Sequence, residues 1–158
     1  MVLLSLLLSA AIFGFFYAWV CSTMWGLDAT DPRTAIAAMQ AMNGSVRNAI
    51  FAPAFFGTPV VMAATAWVMR QAGHNTSAQL MGLGAAVYFC FGLLLTMGIN
   101  VPMNEALGAL TVPEAQDQAR EIWQAYSGKW QMWNQTRTIA SGVAFLLAVC
   151  AVLRLPAR

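Results

Sequence analysis

The chain has 158 residues, of which 59% are hydrophobic and only 9% are charged, and its formal net charge is +2. A soluble domain carries about a quarter charged residues, so this composition excludes an ordinary soluble protein. It favours a polytopic membrane protein with a single domain over residues 1–158. The small net charge and the lack of a basic block argue against nucleic-acid binding.

Four apolar runs are each long enough to cross the hydrocarbon core, which takes about 20 helical residues. We predict spans at approximately residues 2–25, 53–70, 79–99 and 136–154. The first run has no charge and no basic segment before it, which favours a retained span over a cleaved signal peptide. The predicted fold is therefore all-α, an antiparallel four-transmembrane-helix bundle with additional amphipathic helices in the two long connections.

Small residues at four-residue spacing predict close helix packing, because they let helix backbones approach in lipid. They are Ala10, Gly14 and Ala18 in the first run and Ala140, Ala144 and Ala148 in the fourth. Gly84 and Gly92 in the third run suggest a similar groove. Ala and Gly are also common in membrane helices without such a role, so each pattern alone is weak.

With four spans, both long connections lie on the same side of the membrane. All six acids lie there, whereas the other side carries Arg70, Arg154 and Arg158. The positive-inside rule counts only Lys and Arg, and the long connections hold five of these. We expect two of the five, Arg47 and Arg137, to belong to amphipathic helices. We therefore predict an inner (plasma) membrane protein with both termini in the cytoplasm.

The first long connection contains a helix-start signal, Asp31-Pro32, with proline at the first helical position. Apolar residues then recur at helical spacing from Ile36 to Phe51. Gln40, Asn43 and Arg47 are three and four residues apart and share one side of this helix. That side faces either a pocket or, as in an interfacial helix, water and headgroups.

The second long connection begins with two amides around a proline, Asn100-Val-Pro102-Met-Asn104-Glu105. Proline at the end of a span frees a backbone carbonyl and bends the chain. The segment therefore places two amides and one carboxylate at the mouth of the bundle. The alternative is a capping turn, in which the asparagines bond to free helix ends.

A further helix is predicted from Val112-Pro113-Glu114 into the last span. Its offsets place six residues on a single face over four turns, namely Trp123, Tyr126, Trp130, Trp133, Asn134 and Arg137. An aromatic belt at the membrane interface is the alternative explanation for the tryptophans. A belt does not explain their alignment with an asparagine and an arginine.

Metal and nucleotide chemistry find no support in the sequence. The lone His74 lies in a short polar turn on the opposite side, so histidine-rich metal sites are excluded. No phosphate loop, dinucleotide fingerprint or nucleophile motif occurs. The three cysteines, Cys21, Cys90 and Cys150, form no C-x-x-C pair, and we predict that they are small buried hydrophobes.

The polar motifs resemble those of the integral-membrane anthrone oxygenase family, also known as DUF1772. The resemblance covers nearly the whole chain, including the four-span layout. It rests on Asn100-x-Pro102-x-Asn104-x-x-Leu107 and on Trp130-x-x-Trp133-Asn134-x-x-Arg137. Gln40-x-x-Asn43 followed by Phe51-x-Pro53 fits the first half of the family pattern.

Some members of that family oxidise anthrones to anthraquinones. The resemblance therefore implies oxidation of a hydrophobic aromatic or quinol-like substrate by O2, with no metal and no cofactor. It implies that the catalytic residues are Glu105 as the base, Arg137 as the group that holds negative charge, and Asn100 and Asn104 as groups that bind carbonyl and hydroxyl oxygens. The implied substrate-binding residues are Gln40, Asn43, Trp130, Trp133 and Asn134.

A non-enzymatic role is the alternative function. The chain would then bind lipid or quinone, or act as an accessory subunit of a larger membrane complex. Expected partners under the two hypotheses are membrane lipid, a hydrophobic aromatic small molecule, and further copies of the chain or other membrane subunits. A transporter is less favoured, because four spans leave only a narrow path.

Overall fold

The computed structural model describes residues 1–156 and contains five helices within them. They are α1 (Val2–Asp28), α2 (Pro32–Ser45), α3 (Phe51–Gln71), α4 (Asn75–Gly108) and α5 (Gln116–Leu153). All of them except α2 are long and apolar enough to cross a membrane. The predicted helical membrane bundle is confirmed. Arg158, which we assigned to the side of the short turn, lies outside the described residues.

Two of the helices are longer than a bilayer requires. With 38 and 34 residues, α5 and α4 are about 57 Å and 51 Å long at 1.5 Å per residue, against about 30 Å of hydrocarbon. The excess length of both lies at the bundle end that holds residues 28–51 and 100–137, which we call the polar end. The second long connection is thus built mostly from extensions of two spans, rather than from a separate amphipathic helix.

The first long connection folds as one helix, α2, which ends earlier than predicted. Asp31 caps its start, because its carboxylate accepts a hydrogen bond from the backbone N–H of Arg33 at 2.9 Å. The predicted helix continued to Phe51, but α2 ends at Ser45. Asn48 explains the break, since its Oδ1 accepts from the backbone N–H groups of Ile50 and Phe51 at 2.9 Å. The Asn48 side chain thus satisfies backbone N–H groups at the start of α3, and the chain turns there instead of continuing as α2.

A hydrophobic core at the polar end fixes α2 against the extended helices. Buried side chains from α1, α2, α4 and α5 form it, namely Met24, Ala35, Ile36, Met39, Leu107, Ala119, Trp123, Tyr126 and Trp130. The polar end is therefore a packed helical layer, not a set of solvated loops.

Small residues on α4 and α5 allow close packing, as predicted. Ala140, Ala144 and Ala148 are buried. A Cβ on Gly84 would lie 3.0 Å from the carbonyl oxygen of Ala144 and 2.7 Å from Cε of Met62. The backbones of α4 and α5 thus approach closely at Gly84.

The corresponding prediction for α1 is wrong. Gly14 and Ala18 are exposed on the outer surface, and α1 instead buries Ser5, Ser9, Ile12 and Phe16. The hydroxyl oxygens of Ser5 and Thr65 are 2.9 Å apart, and polar groups in hydrocarbon gain more from burial than small apolar ones. The prediction of buried cysteines is also wrong, because Cys21, Cys90 and Cys150 are all exposed.

Irregular helix geometry is concentrated towards the polar end. Within residues 1–156, α1 contains one π-helical segment, Trp19–Thr23, and α4 contains two, Tyr88–Leu94 and Thr96–Asn100. Such segments occur frequently at functional sites, because the extra residue changes the direction of side chains. Here they reorient residues of α1 and α4 that contact the cavity described next.

Candidate functional site

A cavity of about 580 Å³ lies at the polar end and is lined by residues of all five helices. Its size is typical of a small-molecule site. Most of its wall is apolar or aromatic, with Phe15, Phe16, Trp19, Phe51, Phe55 and Trp130 as the main rings. Polar groups enter it at only a few positions, among them Asn43, Thr96, Asn104 and Arg137, with Arg47 and Glu105 at one edge.

Arg137 is the most unusual residue of this site. Only 5% of it is exposed, and its Nη2 and Nη1 donate to Asn134 Oδ1 at 2.8 Å and Thr96 Oγ1 at 3.3 Å. Its Cζ lies 4.6 Å from the ring centre of Phe16 and 5.3 Å from that of Trp130. None of the three ion pairs within residues 1–156 includes it, and its Nε has no partner there.

A buried cation without a carboxylate is costly to the fold. Its neutral neighbours hold the guanidinium in place without cancelling its charge. Arg137 therefore presents a fixed positive charge to the cavity, and that charge is suited to an anionic oxygen on a ligand.

Asn134 positions this guanidinium. It lies one helical turn before Arg137, and its Nδ2 donates to the backbone carbonyl of Phe16 on α1 at 3.2 Å. With its Nδ2 used in this way, Asn134 turns its Oδ1 towards Arg137, whose guanidinium can only donate hydrogen bonds. Asn134 is buried and does not line the cavity. The expected substrate-binding residue thus contacts Arg137 and not the cavity.

Asn104 connects α4 to two aromatic residues of α5. Its Oδ1 accepts from the Tyr126 hydroxyl and from the Trp130 Nε1, both at 2.8 Å. Because an indole N–H can only donate, these bonds determine which way the carboxamide points. The Nδ2 makes no hydrogen bond within residues 1–156, and Asn104 lines the cavity. The Asn104 amide therefore offers the cavity a donor.

Two further amides lie close to this cluster with unused polar atoms. Asn100 is fully buried, and neither its Oδ1 nor its Nδ2 has a hydrogen-bond partner within residues 1–156. The buried Nδ2 of Asn43 also has no hydrogen-bond partner there. An unsatisfied buried amide costs about 1–3 kcal/mol. Asn43 lines the cavity, and Asn100 lies one turn from both Thr96 and Asn104 on α4. The Asn43 amide therefore adds hydrogen-bonding capacity to the cavity, whereas the predicted catalytic residue Asn100 does not line it.

Glu105 lies at the solvent-facing edge of the cavity. It forms an ion pair with Arg47 at 3.1 Å, and both side chains are 58% exposed. Our expectation that Arg47 belongs to an amphipathic helix is wrong, because it lies in the turn after α2. The candidate base is therefore accessible to water instead of being enclosed with the substrate.

Like Asn134, two other predicted binding residues do not line the cavity. The Nε2 of Gln40 donates to the backbone carbonyls of Leu107 and Leu110 at 2.9 Å, which ties α2 to the end of α4. Trp133 is partly exposed. At 100° per residue, Trp133 lies about 60° from the centre of the buried face of α5. Helical spacing placed it on the correct side of the helix but not inside the cavity.

Sequence reasoning missed residues contributed by α1. Phe16 and Trp19 line the cavity, and the ring centres of Trp19 and Trp130 are 5.0 Å apart. The aromatic cluster near the end of the first span was the available signal.

Asp28 was also missed, and it anchors the last turn of α1. Its carboxylate accepts from Trp123 Nε1 at 2.9 Å, Ser127 Oγ at 2.7 Å and Gln131 Nε2 at 2.8 Å. The four-residue spacing of these three donors on α5 is the pattern that points to a shared acceptor. This contact holds α1 beside the cavity.

Part of the chain matches a known protein family. The sequence model of a family described as "Anthrone oxygenase" matches residues 47–147, which is more than half of the chain. No curated protein and no solved structure matches. The matched range contains Asn100, Asn104, Glu105 and Arg137 and leaves out the part of the wall contributed by α1.

Proposed function

Because the chain belongs to the anthrone oxygenase family, we propose that it oxidises a hydrophobic aromatic or quinol-like substrate with O2, without a cofactor, in the cavity at the polar end. The observation that carries this proposal is Arg137, a buried cation that has no carboxylate partner within residues 1–156 and lies beside an aromatic cavity. Such a group stabilises an anion that forms on the substrate.

The chemistry of an anthrone explains why such a site would be sufficient. Loss of one methylene proton gives an anion whose charge is spread onto the ring-ketone oxygen. This electron-rich anion transfers one electron to O2, and the resulting radical and superoxide combine to form a carbon–oxygen bond. Protonation of the peroxide and loss of water then give the second ketone. In total, one CH2 group and one O2 become one C=O group and one water.

The residues of the cavity match these requirements in kind. In the proposed reaction, Arg137 and the Nδ2 of Asn104 hold the anionic oxygen, and Trp130 and Phe16, which line the cavity, provide ring faces for a flat polycycle. Glu105 accepts the proton at the edge of the cavity and passes it to water. Asn43 contributes a further donor.

The direct test is oxygen uptake and anthraquinone formation by the purified protein in lipid vesicles. Asn104→Asp is a suitable variant, because aspartate still accepts from Tyr126 and Trp130 but loses the donor and adds negative charge. We expect the rate above the spontaneous reaction to fall about 10²–10³-fold, as for loss of an oxyanion-hole donor. A wild-type rate equal to the spontaneous rate would overturn the proposal.

A second candidate is binding of a quinone or lipid without turnover. It is favoured by the exposure of Glu105 and its ion pair with Arg47, because an exposed, paired carboxylate is a weak base for a buried carbon acid. Glu105→Gln distinguishes the two functions. If the chain is an oxygenase, turnover falls and binding of an anthraquinone persists. If it only binds, the unsubstituted protein already shows binding without turnover.

We further propose that the chain lies in the inner membrane with both termini in the cytoplasm, alongside lipid and further copies or other membrane subunits. The Lys and Arg residues of the long connections oppose this orientation under the positive-inside rule. Because Arg137 is buried, it no longer counts among these loop residues. In this orientation the Ala72→Cys variant, substituted in the short turn, should not be labelled at that position by an impermeant maleimide added outside intact cells. Labelling of Ala72→Cys above the level of the unsubstituted chain would show that the orientation is the reverse of the one proposed.

A further inference from the structure

A second apolar space lies directly beside the cavity. It is a groove of about 520 Å³ between α1 and α3, bounded at the polar end by the last turn of α2. Ala11 and Ala54 line this groove and not the cavity. Six residues line both spaces, namely Phe15, Trp19, Met42, Val46, Asn48 and Phe51. The two spaces are therefore separated by one layer of side chains.

Two rings of that layer, one from α1 and one from α3, are in contact. The centres of Phe15 on α1 and Phe51 on α3 are 4.8 Å apart, with the planes tilted by 52°. Further from the polar end, α1 and α3 are fixed to each other by the Ser5–Thr65 contact at 2.9 Å. Thus the part of the α1–α3 interface beside the cavity is closed by side chains, which change rotamer far faster than packed backbones separate.

The groove opens between α1 and α3, two of the helices that are long and apolar enough to span a membrane, so an apolar compound dissolved in a bilayer would meet it there. Its lining is mostly apolar, and Ile50, one of the lining residues, is 91% exposed. A different part of the cavity edge carries the Arg47–Glu105 ion pair, in which both side chains are 58% exposed. A flat polycycle partitions into lipid, so the apolar edge is the favourable approach.

We infer that the groove between α1 and α3 is an outer binding site and entry path, through which an apolar ring compound passes from the bilayer between Phe15 and Phe51 into the cavity. The inference rests on the proposed function, because it takes the ligand of the cavity to be such a compound. It adds a place on the surface and a direction of entry.

The test measures binding rates and does not require turnover. The probe is 1,8-dihydroxyanthraquinone, which quenches tryptophan fluorescence, mixed by stopped flow with protein in phosphatidylcholine vesicles. Ala54→Phe narrows the groove and leaves the cavity lining unchanged. Ala63→Phe, on an exposed position of the same helix, is the matched control. We expect Ala54→Phe to slow association and dissociation by the same factor, several-fold, with Kd unchanged, and Ala63→Phe to change neither.

Each other outcome has a distinct meaning. Unchanged rates in Ala54→Phe overturn the entry path and leave the proposed function standing. A changed Kd with unchanged association also overturns it, because the groove would then be part of the final site. No quenching in the unsubstituted protein overturns both proposals. Ala11→Phe blocks the same groove from α1 and gives the same readout if Ala54→Phe does not fold.

Discussion

Replacing Arg137 by methionine separates a functional arginine from a structural one. The substitution removes a buried charge that has no carboxylate partner in the described part of the chain, and desolvating such an ion costs several kcal/mol. It also removes two hydrogen bonds, to Asn134 and Thr96, each worth about 1.5–3 kcal/mol when one group is charged. The two changes oppose each other at similar size. We therefore expect the free energy of unfolding to change by no more than about 2 kcal/mol, and Tm by a few degrees.

Turnover should respond very differently. If Arg137 stabilises the substrate anion, its loss should raise the barrier by about 2.7–4 kcal/mol, which is 10²–10³-fold in rate. The assay is anthraquinone formation in vesicles, corrected for the spontaneous rate, with thermal unfolding measured on the same samples. Arg120→Met is the matched control, because Arg120 lies on the same helix and is exposed in an ion pair with Asp117. It should change neither quantity measurably.

Two results would refute this reasoning. A variant that keeps its turnover would show that the charge of Arg137 plays no part in the reaction. A large loss of Tm with unchanged turnover per folded molecule would show that the guanidinium serves the fold. Arg137→Lys refines the outcome, since lysine retains a charge but not the planar fork, and rescue should be only partial.

Three further predictions concern the packing of the helices and the N-terminal cap of α2. Asp28→Ala removes the acceptor of three hydrogen bonds that anchor α1 to α5, and we expect a loss of about 2 kcal/mol in thermal unfolding; an unchanged Tm would contradict the anchoring role. Gly84→Ala places a methyl group 3.0 Å from a backbone oxygen and should cost about 1–3 kcal/mol. Gly82→Ala, whose nearest neighbouring atom is 3.7 Å away, should be neutral, and equal effects would refute close packing at Gly84. A hydrogen bond and charge from Arg33 hold the pKa of Asp31 at about 2, below its ordinary value of 3.8. The Asp31 cap should therefore stabilise α2 above pH 4 and be lost as the pH falls towards 2. Amide exchange in α2 should show this loss, and Asp31→Asn should abolish its pH dependence.

The four-helix bundle could be predicted from local properties of the sequence alone. The length of an apolar run and the helical spacing of its residues depend on neighbours in the chain, so the four spanning helices followed without knowledge of packing. The convergence of the polar segments at one end also followed, because an even number of spans places both long connections together. Ala144 and Gly84 behaved as their small size predicts, since close backbone approach depends on that size.

Roles within the cavity were decided only when the helices packed. Periodicity placed Trp130 and Trp133 on the same side of α5, yet only the first reaches the cavity, because a fraction of a turn determines which neighbour a side chain meets. Gln40 bonds to backbone carbonyls instead of a ligand space. The isolation of Arg137 from every acid in residues 1–156 likewise depends on contacts between residues far apart in the chain. Spans are local, whereas a buried charge and its partners are a property of the assembled bundle.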